Sequence, residues 1–162
     1  MMTHDERMKT RRWLRSYRVI KSNLESKEKY LEEFIQDVYN PLRVAKCDGM
    51  PIGKGGLPSD PTFTATANII DKYDAKITEM QTDIEDLRLA VKEIEIAIKY
   101  LDGYEKSVCH HRFILGISWA EMPEKIGYEQ TQCTRFEKQG VEKICSKYRS
   151  EEHTSELQSP NT

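Results

Sequence analysis

Ile70, Tyr73, Ile77, Met80, Ile84, Leu87, Val91, Ile94, Ile98 and Leu101 follow one another at alternating three- and four-residue intervals without a miss. That spacing keeps apolar side chains on one narrow stripe of an α-helix. Over roughly 40 residues, at about 1.5 Å per residue, it describes a rod about 60 Å long. A stripe so narrow and so long cannot bury itself, so the chain must supply a partner. The start is also marked: Ser59 or Asp60 can accept from first-turn amides, and Pro61 suits the first helical position because it has no amide to satisfy.

A second stripe lies upstream, over residues 10–46. Trp13, Tyr17, Ile20, Leu24, Leu31, Phe34 and Val38 keep the same alternation, with Lys27 as the only polar interruption. Between the two, residues 47–60 (CDGMPIGKGGLPSD) hold half of the chain's glycines and two prolines and read as a loop. The expected arrangement is an antiparallel helical hairpin, a coiled coil closed through that loop. Parallel self-association of the second helix, giving a homo-oligomer, is the competing arrangement. The glycines of GMPIGKGG lack the G-x-x-x-x-G-K-[ST] spacing of a phosphate-binding loop, and no strand precedes them.

Composition narrows the class. The 162 residues are 38% hydrophobic and 32% charged, with only 8 Gly and 6 Pro, which favours solvated helices over sheets. No apolar run approaches a bilayer span and no signal-peptide pattern is visible, so a cytoplasmic protein without a membrane partner is expected. Cys47, Cys109, Cys133 and Cys145 are widely spaced, which argues against a disulfide scaffold or a zinc ribbon. Residues 149–159, RSEEHTSELQS, resemble the in-frame translation of a common sequencing adapter, so 149–162 is set apart as an artefact tail and the natural C-terminus is expected elsewhere. Without the tail the chain carries 24 basic and 24 acidic residues. Charge is nevertheless segregated. Arg7, Lys9, Arg11, Arg12, Arg15, Arg18 and Lys21 form a basic N-terminal run, read as a solvated face with nucleic-acid contact as the alternative. Residues 71–105 carry ten acidic against five basic side chains and should repel DNA.

After Gly103 the pattern shortens. Residues 104–148 read as three helices: one from 104 to 115 stopped by Gly116, one opened by the capping box Ser118-Trp119-Ala120-Glu121 and stopped by Gly127, and one over 130–148. Two helices joined by a tight glycine turn make a helix-turn-helix, with a generic three-helix bundle as the alternative. The fold class is thus all-α: a long helical hairpin over 1–46, 47–60 and 61–102, followed by a helix-turn-helix domain over 104–148.

RFILGISWAEMPEKIGYEQTQCTRFEKQGVEKI resembles the region-four helix-turn-helix of sigma-70-type factors. It is most similar to small sigma-like regulators of Gram-positive bacteria and their phages, the late transcriptional activators and autolysin-regulatory proteins. A loop like GMPIGKGGLPSDPT and a following helix like IIDKYDAKITEM extend the resemblance over most of residues 13–148. It implies a sequence-specific regulator that binds double-stranded DNA and recruits RNA polymerase. It also implies base-facing roles for Gln130, Thr131 and Thr134, phosphate-facing roles for Arg135 and Lys138, and a packing core of Trp119, Met122, Ile126, Cys133 and Phe136. Several positions depart from that pattern. Pro123 stands where the family has alanine and should distort the first motif helix, Glu129 replaces a Ser-type cap, and Gln139-Gly140 replaces an Arg-Ala pair. Residues 104–148 carry seven cations against six acids, a thin electrostatic contribution.

Two other functions fit the same features. A DNA-packaging small-terminase-like protein also combines a helix-turn-helix with coiled helices, and a coiled-coil interaction protein could carry a degenerate motif. Catalysis is not expected. In Cys109-His110-His111, successive helical residues point about 100° apart and cannot converge on a metal or act as nucleophile and base, so neither metal nor cofactor is expected.

Overall fold

The computed structural model describes the backbone of residues 3–44 and 61–156, and the side chains of residues 3–38 and 71–148. The fold is all-helical, with no strand among the described residues. The loop at 47–60, the caps at Ser59 and Asp60, Cys47 and the side chain of Ile70 lie outside them. No helix among the described residues is long and apolar enough to cross a membrane.

Helix α1 runs His4–Val44, six residues earlier than its apolar stripe predicts. The cause is a capping box in Thr3-His4-Asp5-Glu6: the Thr3 amide donates to the Glu6 carboxylate (2.8 Å) and the Glu6 amide to Thr3 Oγ1 (3.3 Å). Helix α2 runs Pro61–Lys99 and opens at the expected proline. Helix α3, Gly103–Cys109, begins with Gly103 at φ 54, a left-handed conformation that breaks the chain's direction after α2. It continues into a π-helical turn, His110–Ile114, which Gly116 ends at φ 72.

The helix expected from Ser118 is shorter in its regular part. The capping box forms in both directions, Ser118 amide and hydroxyl to Glu121 and Glu121 amide to Ser118 Oγ. The regular helix α4 nevertheless spans only Met122–Ile126, with Pro123 in its first turn. Proline has no amide to donate to Trp119, so residues 119–121 remain a turn. Gly127 closes α4 at φ 79, its amide bonded to Pro123 O at 2.8 Å. Helix α5 runs Gln130–Glu156, longer than the expected end at 148. No Gly or Pro lies between Tyr148 and Pro160 to stop it.

The molecule divides into two compact units, 1–22 with 89–162, and 23–88. In the second, Lys27 pairs with Asp83 and Glu28 with Arg88, while Phe34 meets Tyr73 edge-on and lies under the Lys76 ammonium. From Lys27–Asp83 to Phe34–Tyr73 the partner number on α2 falls as that on α1 rises, although Glu28 reaches back to Arg88. The polar break at Lys27 is thereby matched by a carboxylate across the pair. Here Ile77 and Ile84 are buried, and Leu24, Leu31, Phe34, Val38, Met80 and Leu87 are half-buried. Tyr73, expected on the stripe, is exposed.

The first unit holds most of the core. Leu14 and Tyr17 of α1 and Val91, Ile94, Ala97 and Ile98 of α2 are buried, as are Leu101, Val108, Cys109, Phe113, Met122, Cys133, Val141, Ile144 and Cys145. The buried Tyr17 keeps its hydroxyl satisfied by the Glu95 carboxylate at 2.8 Å. Trp13 is half-buried and meets Tyr148 edge-on at 5.2 Å.

Candidate nucleic-acid interface

The first turns of α5 present two different faces. On the inner side, Cys133 is fully buried beside Val108 and Met122, and Ile117, Trp119, Ile126 and Phe136 pack against that cluster half-buried. All five residues expected in the packing core thus gather around one centre, with Met122 and Cys133 innermost. Trp119 lies at the margin, where the Arg112 guanidinium stands 4.9 Å from its ring centroid. Arg112 is held there by donating to Ile117 O at 2.8 Å. Burial raises the Cys133 thiol above the ordinary thiol range.

The outer side carries the polar set. Gln130, Thr131, Thr134, Arg135 and Lys138 are all exposed. Gln130, Thr134 and Lys138 recur at i, i+4 and i+8, while Thr131, Arg135 and Lys138 recur at i, i+4 and i+7, giving two adjacent rows on one side. Thr134 donates its hydroxyl to Gln130 O at 2.9 Å, so it offers outward only acceptor lone pairs and its methyl group. Phe136 of α5 also joins an aromatic cluster. Tyr104 and Tyr128 meet edge-on at 4.7 Å, and Tyr104 stacks on Phe136 at 5.4 Å. The hydrogen bond between the two tyrosines raises the Tyr128 phenol above its usual range.

Two residues central to the arrangement carry no sequence signal of their own. Glu137, on α5 between Phe136 and Lys138, is 2% exposed. Arg11 of α1 grips it with two parallel bonds, Nε to Oε1 and Nη2 to Oε2, both 2.7 Å. This carboxylate raises the Arg11 guanidinium above even its ordinary range. Arg7 adds a second tie, donating to Glu142 at 2.9 Å. The basic run expected to be solvated is therefore partly spent inside the unit. Gly140 is the other. A Cβ built on it would lie 2.7 Å from Cys109 Sγ and 3.1 Å from Leu101 Cδ1, so a side chain there would have to displace Cys109 of α3 and Leu101. The glycine that reads as a helix weakness is the contact point of two helices.

Cys109-His110-His111 divides as helix geometry requires. Cys109 is buried, and desolvation pushes its thiol far above the ordinary range, with Glu137 and Glu105 adding to the shift. His110 is exposed, and His111 Nδ1 lies 2.7 Å from Ser107 O. Among the described residues no group of three His, Cys, Asp or Glu side chains could hold a metal ion, and Cys109, Cys133 and Cys145 are free thiols. Neither a family model, nor a curated protein, nor a solved structure matches the chain.

Proposed function

We propose that this protein is a sequence-specific regulator of transcription in a bacterial or phage setting, in which an antiparallel helical hairpin carries a helix-turn-helix similar to sigma-70 region four. The observation that carries this reading is the two-sided character of the start of α5: Cys133 and Phe136 packed inward, and Gln130, Thr131, Thr134, Arg135 and Lys138 exposed together. Gln130 can pair bidentately with adenine, and the Thr134 methyl and lone pairs can meet thymine or accept from cytosine. Arg135 and Lys138 supply phosphate contacts that add affinity without sequence information. The fall from Lys27–Asp83 to Phe34–Tyr73 supports the hairpin, and the reciprocal Ser118–Glu121 box with the left-handed Gly127 supports the motif turn. Another surface of the chain would then recruit RNA polymerase.

Selection of bound fragments from bacterial and phage genomes tests the reading. It expects a recurrent duplex motif of promoter-site length, with Gln130→Ala relaxing preference at one or two base pairs at a cost of about 1–3 kcal/mol. Recovery of fragments with no shared motif, bound equally by the parent and by Gln130→Ala, would overturn it.

A further inference from the structure

We infer that the exposed arginine strip of α1, centred on Arg12 and Arg15, is a second DNA-contacting element that grips phosphates beside the start of α5. This rests on the proposed reading of α5 and extends it to a surface outside the helix-turn-helix.

The geometry begins with the two ties already described. Arg7 reaches Glu142 and Arg11 reaches Glu137, so the opening turns of α1 lie against the middle of α5, while Trp13 meets Tyr148 further along it. Glu137 neighbours Lys138 and lies one turn after the exposed Thr134, and Arg15 follows Arg11 by one turn of α1. Arg15 lies four residues after Arg11 and three before Arg18, and so shares their side of the helix. Both neighbours lie close to other parts of this unit. Arg11 holds Glu137, and the Arg18 guanidinium lies over Gly116, where a built Cβ would come within 2.3 Å of it. Arg15 therefore lies between Arg11, tied to Glu137, and Arg18, which lies beside Gly116, and is exposed itself. Lys9 and Arg12 precede it at three-residue steps on the adjoining outer strip, and both are exposed.

Charge selects the occupant. Residues 7–24 contain seven cations and no acid. Arg12 and Arg15 enter no ion pair among the described residues. The strip faces away from the buried Leu14 and Tyr17, and its side chains are too strongly cationic for an apolar helix partner. An arginine-lined, acid-free face next to a polar reading surface suits the phosphates flanking the contacted bases. It also supplies what the motif lacks, since residues 104–148 are nearly neutral.

The test measures binding of the full chain to a duplex from the selection above, across salt concentrations, for Arg12→Ala/Arg15→Ala. Both sites are exposed, so unchanged far-ultraviolet circular dichroism should confirm folding. The expected result is a salt slope shallower by about two and affinity lower by about tenfold or more near physiological salt, with base preference retained. Lys72→Ala/Lys76→Ala, in the acidic stretch, should leave the slope as in the parent. If Gln130→Ala alters base preference while Arg12→Ala/Arg15→Ala keeps the parent slope, the α1 strip is not a contact and only this inference falls. If the parent selects no duplex even at low salt, the reading of α5 falls and the inference with it.

Discussion

Residues 23–88 and the unit formed by 1–22 with 89–162 are built from parts of the same two long helices, yet they hold together differently. In the former, two helical segments with periodic stripes bury Ile77 and Ile84, leave most stripe residues half-exposed, and flank them with ion pairs open to water. In the latter, segments from five helices converge. Leu14, Phe113, Met122, Cys133 and Ile144 become inaccessible, and even a carboxylate, Glu137, is enclosed. Periodicity determines that a helix forms and which side is apolar. It does not determine how deeply that side is buried, because depth depends on how many other elements arrive.

Substitutions that probe each mode of packing should separate the two regions. The largest contrast is expected between aromatic residues. Phe113→Ala should cost about 3–5 kcal/mol, because it empties an enclosed site. Tyr73→Ala, which removes an exposed ring resting edge-on against Phe34, should cost about 1 kcal/mol or less. Urea titration monitored by residue-resolved NMR in each unit would check this, and equal costs would erase the distinction.

Ion pairs should show the same division at slightly smaller scale. Arg11→Ala leaves Glu137 enclosed without its partner and should cost about 3 kcal/mol, whereas Arg11→Met/Glu137→Leu should recover most of the loss. Lys27→Ala, at an exposed pair, should cost less than about 1 kcal/mol. A double-mutant cycle at each pair reads the difference directly.

Gly140→Ala sharpens the comparison within α5. Helix propensity alone favours alanine by about 1 kcal/mol. Overlap with Cys109 and Leu101 should reverse the sign and give a net loss of about 1–2 kcal/mol. A stabilised variant in thermal unfolding would mean those neighbours move aside freely.

The smallest effect concerns pH. Bonds from the Ser118 hydroxyl and amide hold the Glu121 carboxyl below its ordinary range. A carboxyl whose pKa is lowered by folding contributes above the ordinary carboxylate pKa, and that contribution disappears as pH falls through its folded value. The Ser118 and Glu121 amide resonances should therefore be constant at neutral pH and shift below about pH 4. Glu121→Gln should abolish that step; its persistence would assign it to another group.

Much of this architecture could be read from the chain because its signals are local. Pro61 opening α2, Gly116 and Gly127 as stops, the Ser118–Glu121 box and Gln130 opening α5 each act within a turn of their own position. Thr3-His4-Asp5-Glu6 carried an equally local signal that periodicity alone passes over. The exposed row from Gln130 to Lys138 was expected from a family resemblance rather than from a local signal. Glu137, Arg11 and Gly140 were not legible. A glutamate on a helix reads as solvated, an arginine in a basic run as one of several, and a helical glycine as a defect. Each acquires its role only from an element distant in sequence. Leu14 and Ala97 are the apolar version: both fall off the three-four stripes, and both are buried because a further helix covers that side.

The grip of Arg11 on Glu137 joins residues 126 positions apart. The span 104–148 looks like a portable module, but it is not one that can be cut out. Released without the opening turns of α1, it would carry an uncompensated carboxylate in its interior. Grafted onto another scaffold, it would need a new cation at the same point. On the ribosome the consequence is temporal: this unit cannot close until α5 has emerged, 126 residues after the arginine that completes it. The opening of α1 must wait for α5.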